Sequence, residues 1–247
     1  MSAKIYLSPA AHENDRPCAF GGGCTENTHA NLYLNELEPY LTACGFEVRR
    51  ASRTLRGAAA LQKAVEESNA FGADLHYVVH TNGADGSVKG SRPMVYPLGE
   101  GKRWAEVLAG WRRKIYPYPV TVRLRDDLYE ILQSRAVCIY EELVFHDNAA
   151  DAVWLHEHMR TLAEYTARAF CEIFGMPFTD PYGATGDVDG DGAVTTTDAR
   201  LILQEAAGKS GKPFTEQQKA AADVDGDGEV TTTDARLTLQ RAAGKGE

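Results

Sequence analysis

The chain has 247 residues, enough for one or two domains at about 150 residues each, and is 43% hydrophobic and 25% charged, the balance of an ordinary folded protein. No apolar run approaches the roughly 18 residues of a membrane span, so no membrane partner is expected. With 35 acidic against 26 basic residues the formal charge is -9, which argues against nucleic acid as a partner, because neutralising phosphates takes a basic surface.

Residues 1–4 lead into a strand-like stretch without the apolar segment of a signal peptide, so any export signal is expected to be absent or removed. Strands are expected at 5–8, 46–49 and 75–80, separated by helices at 26–44 and 58–71 that stop at Gly45 and Gly72. Strands alternating with glycine-ended helices are the pattern of right-handed βαβ units. The predicted fold class is therefore α/β, a largely parallel central sheet flanked by helices. Further strands are expected at 94–96, 120–123 and 136–141, with a helix over about 101–114. A long last helix should run to about 174, capped by Asn148 with Asp151 in its acidic first turn. The cysteines Cys18, Cys24, Cys44, Cys138 and Cys171 are odd in number and contain no C-x-x-C pair, so they read as buried or incidental. Turn formers mark 179–186 as a linker between a domain at 1–178 and a second at 187–247.

The second domain is a duplication. DVDGDGAVTTTDARL, starting at Asp187, returns as DVDGDGEVTTTDARL at Asp223, an offset of 36 residues that marks a repeated supersecondary unit. Each copy places oxygen groups at loop positions 1, 3, 5, 7, 9 and 12 and glycine at 6, the arrangement a calcium ion takes. The first set is Asp187, Asp189, Asp191, the Ala193 carbonyl, Thr195 and Asp198. The second is Asp223, Asp225, Asp227, the Glu229 carbonyl, Thr231 and Asp234. Two calcium ions are expected, with aspartate at position 12 where the usual EF-hand has glutamate. Both copies resemble the half EF-hands of dockerins, a small all-α module in which each loop is followed by a helix. The resemblance covers 187 to about 244 and implies calcium-dependent folding and docking onto a cohesin module of a scaffold or surface protein. It also implies that Thr196, Thr197, Thr232 and Thr233 read the partner; on sequence alone the same threonines serve equally as caps at a helix start. A calcium-stabilised tail without a partner is the rival reading of this module.

Upstream, His12 follows the first strand, Glu26 opens the first helix, His80 closes the third strand and Glu142 closes the strand at 136–141. Ligands and metals gather at the carboxyl ends of parallel strands. Two histidines and a carboxylate around an open position make a catalytic zinc site, beside which a further glutamate can act as general base. The words Ser8-Pro-Ala-Ala-His12, Thr25-Glu26, His80-Thr-Asn82-Gly-Ala and Glu142-Leu-Val-Phe145-His-Asp-Asn148 resemble the zinc-dependent N-acetylmuramoyl-L-alanine amidases of the amidase-3 family, phage endolysins included, over about 4–175. The resemblance implies hydrolysis of the amide between N-acetylmuramic acid and L-alanine in peptidoglycan. It implies one zinc ion on His12, Glu26 and His80, Glu142 as the catalytic residue, and a substrate contact at Asn82. Val144 stands where that family has glycine, and one extra residue precedes His12. Glu141 competes for the base role, but neighbours on a strand face opposite ways. His29 is expected to be a helix-surface residue and His76 a strand-packing residue. Together the two resemblances imply an extracellular or cell wall-associated protein. The alternatives are a catalytically inactive wall-binding protein with a calcium-stabilised attachment tail, or an amidase for another substrate.

Overall fold

A computed structural model describes residues 2–52, 54–181 and 185–244. The alternating pattern at the start of the chain becomes β1 (Lys4–Pro9), α1 (Glu26–Ala43), β2 (Glu47–Arg50), α2 (Gly57–Phe71) and β3 (Leu75–Asn82). Then come β4 (Arg92–Val95), α3 (Gly101–Arg112), β5 (Arg123–Leu124), α4 (Tyr129–Gln133), β6 (Val137–Phe145), α5 (Ala149–Glu157) and α6 (Met159–Phe174). The strands form one sheet in the order β2-β1-β3-β6-β4-β5. All neighbours are parallel except β4 and β6, so the fold is mixed α/β with a largely parallel sheet.

Helices cover both faces, which is why β3 is buried along nearly its whole length. On one face Tyr6 packs with Ala64 and Phe71 of α2, and Val78, Met94 and Cys138 pack with Ile131 of α4. On the other, Tyr77 meets Phe170 of α6 edge to face, and Tyr33 of α1 donates to Thr166 Oγ1 at 2.7 Å. Gly72 ends α2 in the left-handed conformation, φ 67°, where a side chain would be strained.

Four features differ from expectation. β6 continues to Phe145, so Glu142 lies within a strand and does not close one; buried Leu143, Val144 and Phe145 carry the strand onward. The strand near 120 is reduced to a bridge between Val120 and Ser91, and β5 forms three residues later. The short α4 is too brief for a helical period to show. The last helix is two, α5 and α6, parted at His158. Asp151 is also fully buried: it accepts from the amides of Phe145 (2.9 Å) and Gly90 (3.0 Å) and from the Tyr116 hydroxyl (2.7 Å), pinning the end of β6.

The short stretch 156–161 aside, compact units change over between Thr179 and Asp180. Within the expected linker, residues 182–184 lie outside the described residues. The second unit is all-α, with α7 (Thr196–Ala206), α8 (Glu216–Ala222) and α9 (Thr232–Ala242) around Val188, Ile202, Phe214, Ala222 and Ala235. Each helix opens on a reciprocal cap, Thr195 with Asp198, Thr215 with Gln218 and Thr231 with Asp234.

Candidate active site and calcium loops

His12, Glu26 and His80 converge, with their donor atoms all within 4.8 Å of one another. Glu26 Oε1 lies 2.8 Å from His80 Nδ1 and 3.3 Å from His12 Nε2, and the two rings stand edge to face. Each reaches the site from a different element. β3 delivers His80, whose ring stacks on Tyr140 of β6 with centroids 4.7 Å apart. α1 delivers Glu26 one residue past its N-cap, Thr25. The loop after β1 delivers His12, whose backbone is held by the Asn27 amide on both sides: Asn27 Oδ1 accepts from the His12 amide at 2.9 Å and Nδ2 donates to its carbonyl at 3.0 Å. Asp15 in turn accepts from the backbone N–H of Asn27 at 3.0 Å. Neither Asn27 nor Asp15 was marked by the sequence; the available signal was an asparagine directly after the candidate ligand Glu26.

Electrostatics separates the carboxylates. Burial would push Glu26 up, but its hydrogen bonds with His12 and His80 outweigh that and hold it well below the usual carboxylate range. The same hydrogen bond raises His12. Glu142 sits directly across from His80 in the β3–β6 register. Burial pushes its carboxyl up to about 7; His80 opposes this and the charge of Glu26 adds to it. Its Oε2 is shut away from solvent and has no hydrogen-bond partner, a group set aside for something not supplied by the fold. Glu141 faces the other way, ion-paired with the fully buried Arg112 at 2.9 Å and accepting from the Tyr77 hydroxyl.

These groups open onto a cleft of about 650 Å³ whose lining includes Arg16, Asn82, Tyr140 and His146. His146 Nδ1 lies 3.0 Å from Thr81 Oγ1, and Asn148 caps α5 by accepting from the Asp151 amide at 3.2 Å. Asn82 is thus at the cleft. His76 packs within the fold, against Glu130 at 3.1 Å. His29, expected on the helix surface, is instead fully buried beside Cys18 and Cys24, on the face of α1 turned to the loop before it.

In the second unit the two loops repeat the same bonds from their position-12 aspartates. Asp198 Oδ1 accepts from the Val188 amide (2.9 Å) and Oδ2 from the Thr195 amide (2.8 Å); Asp234 does the same with Val224 (2.7 Å) and Thr231 (2.8 Å). Asp187, Asp189 and Asp198 bring carboxylate oxygens together, as do Asp223, Asp225 and Asp234. Asp191 and Asp227 instead accept from the amides of Ala193 and Glu229, at 2.9 and 2.8 Å. Gly192 and Gly228, both at φ 90°, make the sharp turn at position 6. Crowded acids raise one another: burial first, then Asp234, pushes Asp225 up to about 6.

A family model described as the dockerin type I domain matches residues 185–241. These residues are a dockerin type I domain. The dockerin leaves Thr196, Thr197, Thr232 and Thr233 exposed, together with Leu203 and Leu239, which occupy matched places on α7 and α9. No curated protein sequence matches the chain. Among solved structures it is similar to the apo form of the N-acetylmuramyl-L-alanine amidase Ami1 from Mycobacterium abscessus, at 16% identity and TM-score 0.60 over 70% of this chain and 100% of that one. It is also similar to the amidase AmiC2 of Nostoc punctiforme, at 18% identity and TM-score 0.59 over 70% and 97%. A third is the catalytic domain of the CD27L endolysin targeting Clostridia difficile, at 16% identity and TM-score 0.60 over 70% and 97%. The chain outside the dockerin shares the fold of these amidases.

Proposed function

We propose that the first unit is a zinc-dependent N-acetylmuramoyl-L-alanine amidase acting on peptidoglycan, and that the dockerin attaches it to a cohesin module of a scaffold or surface protein, outside the cell or in its wall. One observation carries the reading: two imidazoles and a carboxylate meet at an open cleft beside a glutamate whose buried oxygen lacks a partner. His12, Glu26 and His80 fit the three-ligand set of a catalytic zinc with one position left open. When bound, zinc supplies Lewis acidity to the scissile carbonyl and acidifies a neighbouring water towards a pKa of about 7.

The chain's own residues do the rest. Glu26, ionised across the working range, brings the negative charge that a divalent cation needs, and Tyr140 fixes the ring plane of His80. Asn27 keeps His12 in place although its ring is nearly half exposed. Glu142, whose pKa burial raises and a bound cation would draw back down, suits proton transfer in both directions, taking the proton from the attacking water and returning it to the departing L-alanine nitrogen. Arg16 and Asn82 line the cleft and suit the carboxylates and amides of a stem peptide. In the dockerin, each loop holds one calcium ion through its six oxygen positions, and the exposed threonines and leucines of α7 and α9 face the cohesin.

Stripping zinc with a chelator should stop the clearing of a peptidoglycan suspension, and added zinc should restore it. Full clearing by metal-free protein would overturn the reading, and failure of reloaded protein to clear any wall would favour a binding protein.

A further inference from the structure

Arg16, in the loop after β1, lines the cleft and is exposed. An exposed arginine alone is only a solvated charge; this one is distinguished by its surroundings. Among the described residues its guanidinium makes no ion pair and no hydrogen bond. The acids next in sequence are engaged elsewhere. Asp15 accepts from the backbone N–H of Asn27 at 3.0 Å, and Asp147, which follows His146, accepts from the amides of Ala84 and Gly86 at 2.7 and 3.0 Å. Asn148 Nδ2 donates to the Gly86 carbonyl at 2.8 Å, so the same bonds that occupy Asp147 also fix this rim of the cleft.

His146 stands across from it. Its side chain lines the same cleft although the residue is only 3% exposed. Nδ1 faces Thr81, 3.0 Å from the hydroxyl and 3.2 Å from the carbonyl. Whether the hydroxyl donates to Nδ1 of the neutral ring or Nδ1 of the charged ring donates to the carbonyl, Nε2 carries a proton. That nitrogen is turned towards Gly83. A Cβ on Gly83 would stand 3.4 Å from His146 Nε2 and 4.0 Å from Arg16 Nη1, so two donors flank one point above the glycine. Gly83 has no positive φ, and no turn demands glycine there; what the missing side chain provides is space between the donors.

We propose that Arg16 and His146, across Gly83, bind the free α-carboxylate of the second residue of the stem peptide, a D-glutamate joined onward through its γ-carboxyl, and select it over its amidated form. The assignment rests on the amidase reading of the cleft and adds the side chains that decide which stem is taken. Reach picks this carboxylate. Gly83 follows His80 by three residues, at most about 10 Å along a strand at roughly 3.3 Å each. A stem peptide whose first nitrogen lies beside His80 and Glu142 extends roughly 7 Å by its second residue, and the carboxylate and the Arg16 side chain span the rest. Chemistry picks the charged form. A carboxylate offers acceptor oxygens to both donors and a charge to Arg16, whereas a carboxamide turns its own N–H groups against one of them.

The test is calorimetric titration of the full zinc- and calcium-loaded chain carrying Glu142→Gln, which leaves the ligand uncut, with two muramoyl pentapeptides that differ only in D-glutamate or D-isoglutamine at residue two. The free acid should bind on the order of tenfold tighter. Arg16→Ala should bring the two within about twofold by weakening the acid alone, and Arg16→Lys should keep part of the preference. Gly83→Ala sets a methyl between the donors at ordinary contact distance and should also erase the preference. Equal binding of the two peptides, binding of neither, or a preference unchanged by Arg16→Ala overturns the proposal. So does a preference that follows a carboxylate on the third residue, diaminopimelate against lysine, in place of the second. Because binding is read without turnover, the two readings fail separately. Discrimination by a wild-type chain that leaves the lactyl-alanine amide intact overturns hydrolysis and supports the subsite, whereas cleavage of both peptides with equal kcat/KM overturns the subsite alone.

Discussion

Two adjacent glutamates on β6 illustrate how one position on a strand decides a role. Glu142→Gln removes a base but no packing, so it should keep its zinc and its stability while turnover falls on the order of 10²–10⁴-fold. Glu141→Ala should behave in the opposite way. It strands the Arg112 guanidinium, 1% exposed, without its carboxylate, and denaturant titration should find a loss of about 3–5 kcal/mol. The pH profile belongs to the same residue. Glu142 must be ionised to accept a proton, so kcat/KM falls as pH drops through its pKa. Burial holds that pKa at about 7, and a bound cation pulls it down towards the ordinary value of about 4.3. The acid limb should lie between these values and vanish from the residual activity of Glu142→Gln; a wild-type profile flat over about pH 4.5 to 7.5 would contradict the assignment. The residues proposed as ligands and base were legible in the sequence because each sits in a short polar word next to a strand-like or helical stretch. The roles of Asn27 and Asp15 and the packing of Cys18 and Cys24 on Ala152 were not: their partners meet only after α1, α5 and the loop between β1 and α1 have packed together.

At the level of elements, periodicity and glycine stops gave the βαβ core, and they failed where the signal is short. α4 has five residues and β5 two, less than two turns or one alternation, and nothing around His158 announces a break between α5 and α6. The repeat in the second unit, differing only at Ala193 and Glu229 over fifteen residues, was the most legible feature, yet its helices are not equivalent inside. Ile202 of α7 is fully buried in the core, while the matched residue of α9, Thr238, is equally buried and its Oγ1 has no hydrogen-bond partner. A buried hydroxyl without a partner costs free energy that an isosteric methyl does not. Thr238→Val should therefore stabilise the calcium-loaded dockerin by about 1 kcal/mol, seen as a raised melting midpoint. A lowered midpoint would mean that the hydroxyl is satisfied in solution.

On the scale of the whole molecule, two cores of different size share one chain. The first has a six-stranded sheet covered by helices, whereas the second rests on three short helices and two loops in which carboxylates crowd together. So small a core depends on its ions, and calcium removal should melt the dockerin and abolish cohesin binding while the first unit keeps its own transition. One cooperative loss of both in a calcium-selective chelator would contradict this. The central claim concerns a single bond, and mass spectrometry of peptidoglycan digested by the zinc- and calcium-loaded chain tests it most directly. The predicted products are stem peptides with a free L-alanine amine and glycan strands whose muramic acid carries a free lactyl carboxylate, with neither formed by Glu142→Gln. Intact lactyl-alanine amides with cuts elsewhere in the wall, or the same products from Glu142→Gln at the wild-type rate, would contradict it.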